Sequence, residues 1–339
     1  MRVLATVGLL LVAVPATACP ICMPLPRQTV ADRLIGADVV AFGREDPSQP
    51  FSYAVTRVLK GQVADPHVEL FADSTTRRQL VADEQRRVLL VKSEVGWQNL
   101  GVADEDYQQI VQRIVVFAPE WLGVNGPQKR LEYFVTLWNH ENRAVFELAY
   151  LELGKAPYAA IRKFGAEIPV EELQPMLTRR DYFEWRSLAI LMLAQRTDEV
   201  SQKLIAGTFE NCARFSLTAH LAAWTTAYVE IHEIDGVDVI ERAYLRNPKR
   251  TEEEIRSVLA ALSLHGQLGD AGLRRRIVAC YGSALEVHPR VADAIARDLT
   301  EWNEFSYIVE FKKIVKDSEP MFDKNGLLHL RNHIISADN

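Results

Sequence analysis

The chain has 339 residues, of which 48% are apolar and 25% charged, and it carries a net charge of −6. That balance excludes a disordered polyelectrolyte and offers no basic surface for nucleic acid or an anionic membrane. Its four cysteines are too few for a disulfide scaffold, so cohesion must come from packing, and the length allows two domains with substantial cores.

Met1 to Ala18 open with Arg2, run apolar from Val3 to Val14, reach Pro15 and end in Ala16-Thr17-Ala18. This is the layout of a secretory signal peptide. The apolar run is shorter than the roughly 20 residues that a bilayer-spanning helix needs, and no second candidate follows. Residues 1–18 are therefore expected to be cut away before Cys19, leaving an exported protein, periplasmic or extracellular. Its membrane contact is expected only through a lipid anchor on Cys19, as in bacterial lipoproteins. The leucine that usually stands three places before such a cysteine is replaced by Ala16.

Cys19-Pro20-Ile21-Cys22 then sets two thiols a C-x-x-C apart. A redox pair of this form belongs at the start of a helix, where the dipole lowers a thiol pKa. Pro24 and Pro26 oppose a helix there. The same thiolates could serve copper or zinc as soft ligands, although a closed zinc site wants four ligands and no second C-x-x-C completes the set. A local disulfide or a tethered chain end is the simplest reading.

From Ala37 to about Ser93 the pattern is of short strands. "ADVVAFGR" is a continuous apolar run. "FSYAVTRVLKG" alternates, with Phe51, Tyr53, Val55 and Leu59 on one side, and "HVELFAD" and "RRVLLVKS" follow. Gly96 to Asp106 adds a fifth strand and an acidic turn or helix start. Strands joined by short connections predict a small barrel, which removes exposed sheet edges.

After the Gly- and Pro-rich "APEWLGVNGPQ" the apolar period becomes about 3.6. Ile255, Val258, Leu259 and Leu262 form one face. Leu221, Trp224, Tyr228 and Ile231 form a second, and Val291, Ala294, Ile295, Leu299 and Trp302 a third. Turn residues fall between them, and about ten helices are expected from Gly126 onward, in pairs that suggest an α-solenoid. The fold class is α+β, with a β-barrel at 19–118, a linker at 119–126 and an all-α region at 127–339.

Cys212 and Cys280 fall on apolar helical faces and are expected to be buried structural cysteines, though a bond between them stays open. His329 and His333 stand i, i+4 on a C-terminal helix, a spacing that can present two imidazoles to one metal, but Leu327, Leu330 and Ile334 mark a packing face. Trp185, Trp224 and Trp302 are expected in the core. The Arg274-Arg275-Arg276 cluster reads as a solvated helix face. The chain has no G-x-S-x-G, no phosphate-binding loop, no G-x-G-x-x-G after a strand and no H-E-x-x-H.

Cys19 followed by "ADVVAFGRE" and "YAVTRVLKG" resembles the netrin-like module, the OB-type barrel of the tissue inhibitors of metalloproteinases and of complement C-terminal domains. The resemblance covers about residues 19–117. It implies an OB-like barrel, with Cys19 in the place of the cysteine whose amino and carbonyl groups chelate a protease zinc. Those inhibitors use C-x-C, pinned by disulfides to later cysteines. Here the spacing is C-x-x-C and no cysteine lies between Cys22 and Cys212, a departure that bears on the inhibitory role and not on the fold. The helical remainder, with "ENRAVFELAYLELGKAPY" near its start, is similar to HEAT-like domains of exported bacterial proteins.

These readings lead to an exported, non-enzymatic protein-interaction or envelope scaffold protein with a protein partner. The alternatives are a thiol or metal protein acting through Cys19 and Cys22, or inhibitor-like binding through a free Cys19 terminus.

Overall fold

The computed structural model describes residues 21, 28–318 and 321–337. Helix α1 (Val30–Gly36) opens on a capping box, in which Thr29 and Asp32 satisfy each other's free backbone N–H groups. Strands β1 (Val39–Glu45), β2 (Tyr53–Lys60) and β3 (His67–Val68) follow, then α2 (Ser74–Ala82), β4 (Arg87–Ser93) and β5 (Gly96–Ala103). They form one antiparallel sheet in the order β3-β2-β1-β4-β5. Among the described residues β3 and β5 do not pair, so the sheet is a curled half-barrel with two edges. Only two residues of the expected "HVELFAD" strand join the ladder, too short a strand to carry the curl around to β5.

Alternation in β1 and β4 sends side chains to two different cores. Val40, Phe42, Leu89 and Val91 enter the main core, whereas Val88 and Leu90 join Tyr53, Val68, Ala72 and Leu80 in a smaller one. The pairing Phe42↔Leu89 and Val40↔Val91 holds that register, and register shifts in β1 opposite β2 bend the sheet. Lys60 and Gly61 each have a local reason. The Lys60 ammonium donates to Ile35 O at 2.7 Å, closing the end of α1. Gly61 turns at φ 76, where an added Cβ would lie 2.3 Å from Asp38 O. Phe51 is not on the inward side with Tyr53 as the alternation predicts; it precedes β2 at φ 69 and faces solvent.

The change to helical periodicity comes earlier than the Gly- and Pro-rich stretch. Helix α3 (Glu105–Trp121) starts at Asp104, whose carboxylate accepts from Tyr107 N at 3.0 Å. The acidic triplet is therefore a helix start. Residues 119–126 hold the end of α3 and the turn into α4 (Gly126–Val135). Then come α5 (Arg143–Gly154), α6 (Tyr158–Gly165), α7 (Val170–Thr178), a 3-10 turn (Arg180–Trp185), α8 (Arg186–Leu193), α9 (Glu199–Phe215) and α10 (Leu221–Ile240). A π-helical turn (Glu241–Leu245) follows, then α11 (Glu252–Leu268), α12 (Ala271–Val287), α13 (Ala292–Glu301), α14 (Ile308–Ser318) and α15 (Lys324–Ala337). The predicted faces are the buried ones: Ile255, Val258, Leu259 and Leu262 on α11, and Leu221, Trp224 and Tyr228 on α10.

Polar bonds as well as apolar contact join α1, which precedes the sheet, to the later helices. Arg130 on α4 donates to both Glu152 oxygens at 2.8 Å and to Asp32 at 2.7 Å. Lys155 reaches Asp32 at 2.5 Å, and the Thr29 hydroxyl donates to Glu152. Burial raises the Asp32 pKa, but Lys155, the Thr29 N–H and Arg130 outweigh it and hold the carboxyl at about 2. The start of the described chain is thus fastened to α4 and α5 by charge-assisted bonds.

Candidate functional site

The leader 1–18, Cys19 and Cys22 lie outside the described residues. Ile21, between the two cysteines, is buried and belongs to the main core. Cys212 and Cys280 are free and buried. Burial raises both thiol pKa values, which removes thiolate character at neutral pH. They therefore pack as apolar groups.

His329 and His333 are placed unequally on α15. His333 is fully buried against Phe305 and Phe311. The Thr300 hydroxyl lies 2.7 Å from Ala296 O and is hydrogen-bonded to His333 Nδ1 at 2.9 Å. His329 remains half-exposed. Among the described residues no group of three or more His, Cys, Asp or Glu side chains converges on one point, and no helix is long and apolar enough to cross a membrane. Trp185 and Trp224 are buried, and Trp302 lies half-buried on the Tyr281 ring. The Arg274–Arg276 cluster is not a simple solvated face. Arg274 donates to Gly266 O at 2.6 Å and Arg276 to Asp238 at 2.6 Å, with Glu241 behind it.

What the fold assembles instead is a pair of clefts at the ends of α5, α7 and the 3-10 turn. The larger, about 720 Å³, is lined by Arg143, Glu147, Arg180, Asp181, Phe183, Glu184 and Trp185. The smaller, about 320 Å³, shares Arg143 and adds Trp138, His140, Phe146, Glu172, Met176, Arg179 and Tyr182. Their floor is a continuous aromatic cluster: Trp138 stacks on Tyr150, Tyr150 meets Trp185 edge-on at 4.8 Å, and Phe146 meets Tyr182 edge-on at 5.5 Å.

Guanidinium groups cover this floor. Arg143 lies 5.4 Å from the Phe146 centroid and 5.1 Å from that of Tyr182, and Arg179 lies 5.2 Å from Tyr182. Each is steadied by an acid, Arg143 by Glu147 at 2.6 Å and Arg179 by Asp181 at 2.7 Å. The Arg179 bond lowers the Asp181 pKa. Trp138 Nε1 donates to Glu172 at 3.1 Å, so this buried donor is satisfied from the rim.

Behind the clefts, Ser187 Oγ and His220 Nδ1 are hydrogen-bonded at 3.0 Å, with the Phe183 ring 4.6 Å from the imidazole. His220 adopts φ 57 at the start of α10. Burial, followed by the Arg186 charge, lowers its pKa to about 4, so the ring is neutral at pH 7. Ser187 is buried and lines neither cleft. The pair orders the start of α8 against α10. The clefts themselves can take a chain that brings both apolar groups and hydrogen-bonding charges.

Sequence reasoning missed this region. Its one signal was the density of arginine and aromatic residues in "TRRDYFEWR", Thr178 to Arg186, and nothing in the sequence brings Arg143 or Trp138 to it. No family model, curated protein or solved structure matches the chain.

Proposed function

We propose that this is an exported protein-binding protein, an envelope scaffold rather than an enzyme, whose binding face is the arginine and aromatic cleft between α5, α7 and the 3-10 turn. The observation that carries the reading is the composition of that face. Arg, Tyr, Trp, Phe and Met are the residues that protein interfaces concentrate at their centres, where desolvated aromatic anchors supply most of the binding energy. Here they line two adjoining clefts. On this reading the sheet is a netrin-like, OB-type module, supported by the structural roles of Lys60 and Gly61. The helices are a HEAT-like stack that presents the face. The leader before Cys19 directs export.

The test is capture of partners from the native envelope with the full chain and with an Arg143→Glu/Arg180→Glu variant. Both arginines are exposed, and losing the surface pair of Arg143 with Glu147 should lower the unfolding midpoint only slightly. The expected outcome is a defined partner, identified by mass, that the variant fails to retain. Equal retention by both proteins, or no partner together with hydrolase activity in a broad substrate screen, overturns the reading.

A further inference from the structure

Helix α9 turns one face to the core, through Ser201, Ile205, Phe209 and Cys212, and leaves the opposite face in solvent. On that outer face Val200, Leu204 and Phe215 are 76%, 45% and 62% exposed, and Glu199, Lys203, Glu210, Asn211 and Arg214 are exposed with them. Gly207 sits at its centre. Glycine within a helix costs stability relative to alanine, yet a Cβ added at Gly207 would meet nothing within 4 Å. Packing inside the chain therefore gives no reason for a glycine at this position. The close approach of another backbone would.

The charges on this face are ordered about Gly207. At the helical spacing of about 100° per residue, Lys203 and Glu210 project from one flank of the face, one turn before and one turn after Gly207, and Glu199 and Arg214 project from the same flank a turn further out. Val200, Leu204, Asn211 and Phe215 project from the other flank. A two-fold axis across α9 at Gly207 sets a second copy of the helix antiparallel to the first, each flank against its like with the ends exchanged. Lys203 then meets Glu210 of the second copy and Glu199 meets Arg214, and each pair forms twice. Val200 meets Phe215 on the apolar flank. A parallel pair would instead set the charged flank against the apolar one.

We propose that the outer face of α9 is a homodimer face, on which two copies of the chain cross antiparallel at Gly207. The surface selects a copy of itself because each of its four charges finds its opposite under one symmetry operation, and the same operation brings its aliphatic and aromatic groups together. Lys203 and Glu199 pair along the helix at 2.5 Å but stay 75% and 78% exposed, so both can take a further partner. The face shares no residue with the arginine and aromatic clefts. A single helix pair is a small interface, and the dimer should form in about the micromolar range or above.

The test is sedimentation equilibrium of the full chain at concentrations from about 1 to 300 µM, across which the unaltered chain should pass from monomer to dimer. Lys203→Glu and Glu210→Lys should each weaken association about tenfold or more, since each sets like charges together twice in the dimer. The two variants mixed in equal amounts should recover it, because two acids on one copy then face two bases on the other. The double variant Lys203→Glu/Glu210→Lys should also recover it, and Arg143→Glu in the helical cleft should leave it unchanged. The proposal is overturned if the unaltered chain stays monomeric throughout, which leaves the face to a different partner, if either single variant associates as tightly as the unaltered chain, or if mixing the two fails to restore association.

Discussion

The sheet and the helices bury different things. The β1–β5 sheet buries almost only apolar side chains, split by alternation between two cores, and its strands are tied together by ladder bonds. The helices satisfy their backbone internally, so what registers one helix against another is side chains, and here many of those are polar. Glu152, Glu241, Glu254 and Asp298 are buried in helices. Each has its partner: Arg130 for Glu152, Arg276 and Ser283 for Glu241, Arg250 for Glu254, and the Tyr281 hydroxyl at 2.9 Å for Asp298. A buried ion pair adds little net stability over apolar packing, yet removing one member leaves an uncompensated charge. The helical region should therefore be brittle to single polar deletions and the sheet to steric intrusions.

The largest test of that contrast is Arg130→Met. It leaves the buried Glu152 carboxylate without its guanidinium and loosens Asp32, and should cost about 3 kcal/mol. Urea unfolding followed by far-ultraviolet circular dichroism reads this as a lower midpoint; a cost below about 1 kcal/mol would show that the junction is held by apolar contact alone.

Two glycines set the regions against each other, Gly61→Ala at about 2 kcal/mol and Gly266→Ala at about 1 kcal/mol. Gly61→Ala forces a side chain into a left-handed turn against Asp38 O, and nothing adjacent can yield because the obstacle is backbone. Gly266→Ala on α11 sets a Cβ 2.2 Å from the Trp302 ring, which is half-buried and can shift. Equilibrium unfolding of both should show Gly61→Ala as the costlier, with Gly266→Ala also altering Trp302 fluorescence.

Acid should strike the helices before the junction. Burial lowers the pKa values of His220, His265, His288 and His333 below the ordinary 6.5, that of His220 to about 4. A histidine with a lowered folded pKa takes up protons more readily when unfolded, so stability falls as pH drops below 6.5 and levels off below the folded value. For His220, whose ring is partly reached by solvent, this amounts to about 1–2 kcal/mol between pH 7 and 4. Asp32 acts later, its contribution fading as pH falls from 3.8 toward 2. Asp298 opposes both, since burial raises its pKa and protonation relieves it. Midpoints measured from pH 7 to 3 should decline in the upper step first, and His220→Gln should flatten that step. The smallest effect is Phe71→Ala, which should move stability by less than about 0.5 kcal/mol. A larger loss would make Phe71 part of the core and not of a surface.

Much of the architecture was legible in the residues. Ile255, Val258, Leu259 and Leu262 recur at helical spacing because one face of α11 must be dry, and a spacing of that kind survives any arrangement of its neighbours. Val39 to Phe42 form an unbroken apolar run because both faces of β1 are covered. Two readings misjudged local context. Phe51 continued an alternation on paper, but the chain turns at φ 69 before β2 begins, and turn geometry is weakly written in residue identity. The helical period was expected after the Gly- and Pro-rich stretch, whereas α3 already contains "DYQQIVQRIVVFA" and even accommodates Pro119 near its end. The cleft was the least legible part, because Trp138, Arg143, Arg179 and Trp185 lie on separate elements of the chain.

By itself the sequence determined that the segments of β1, β2, β4 and β5 are strands, that the chain from α4 onward is helical, and which face of α10, α11 and α13 is apolar, since these follow from period and from the need to remove apolar area from water, whereas α1, α2 and α3 were not expected as helices. Only the tertiary structure decided that the sheet stays open with two cores, that Arg130 ties Asp32 to Glu152 across about a hundred residues, and that arginine and aromatic groups converge beside the 3-10 turn. Those features depend on distances between remote segments, which helix crossing and sheet curl set and which no local pattern encodes.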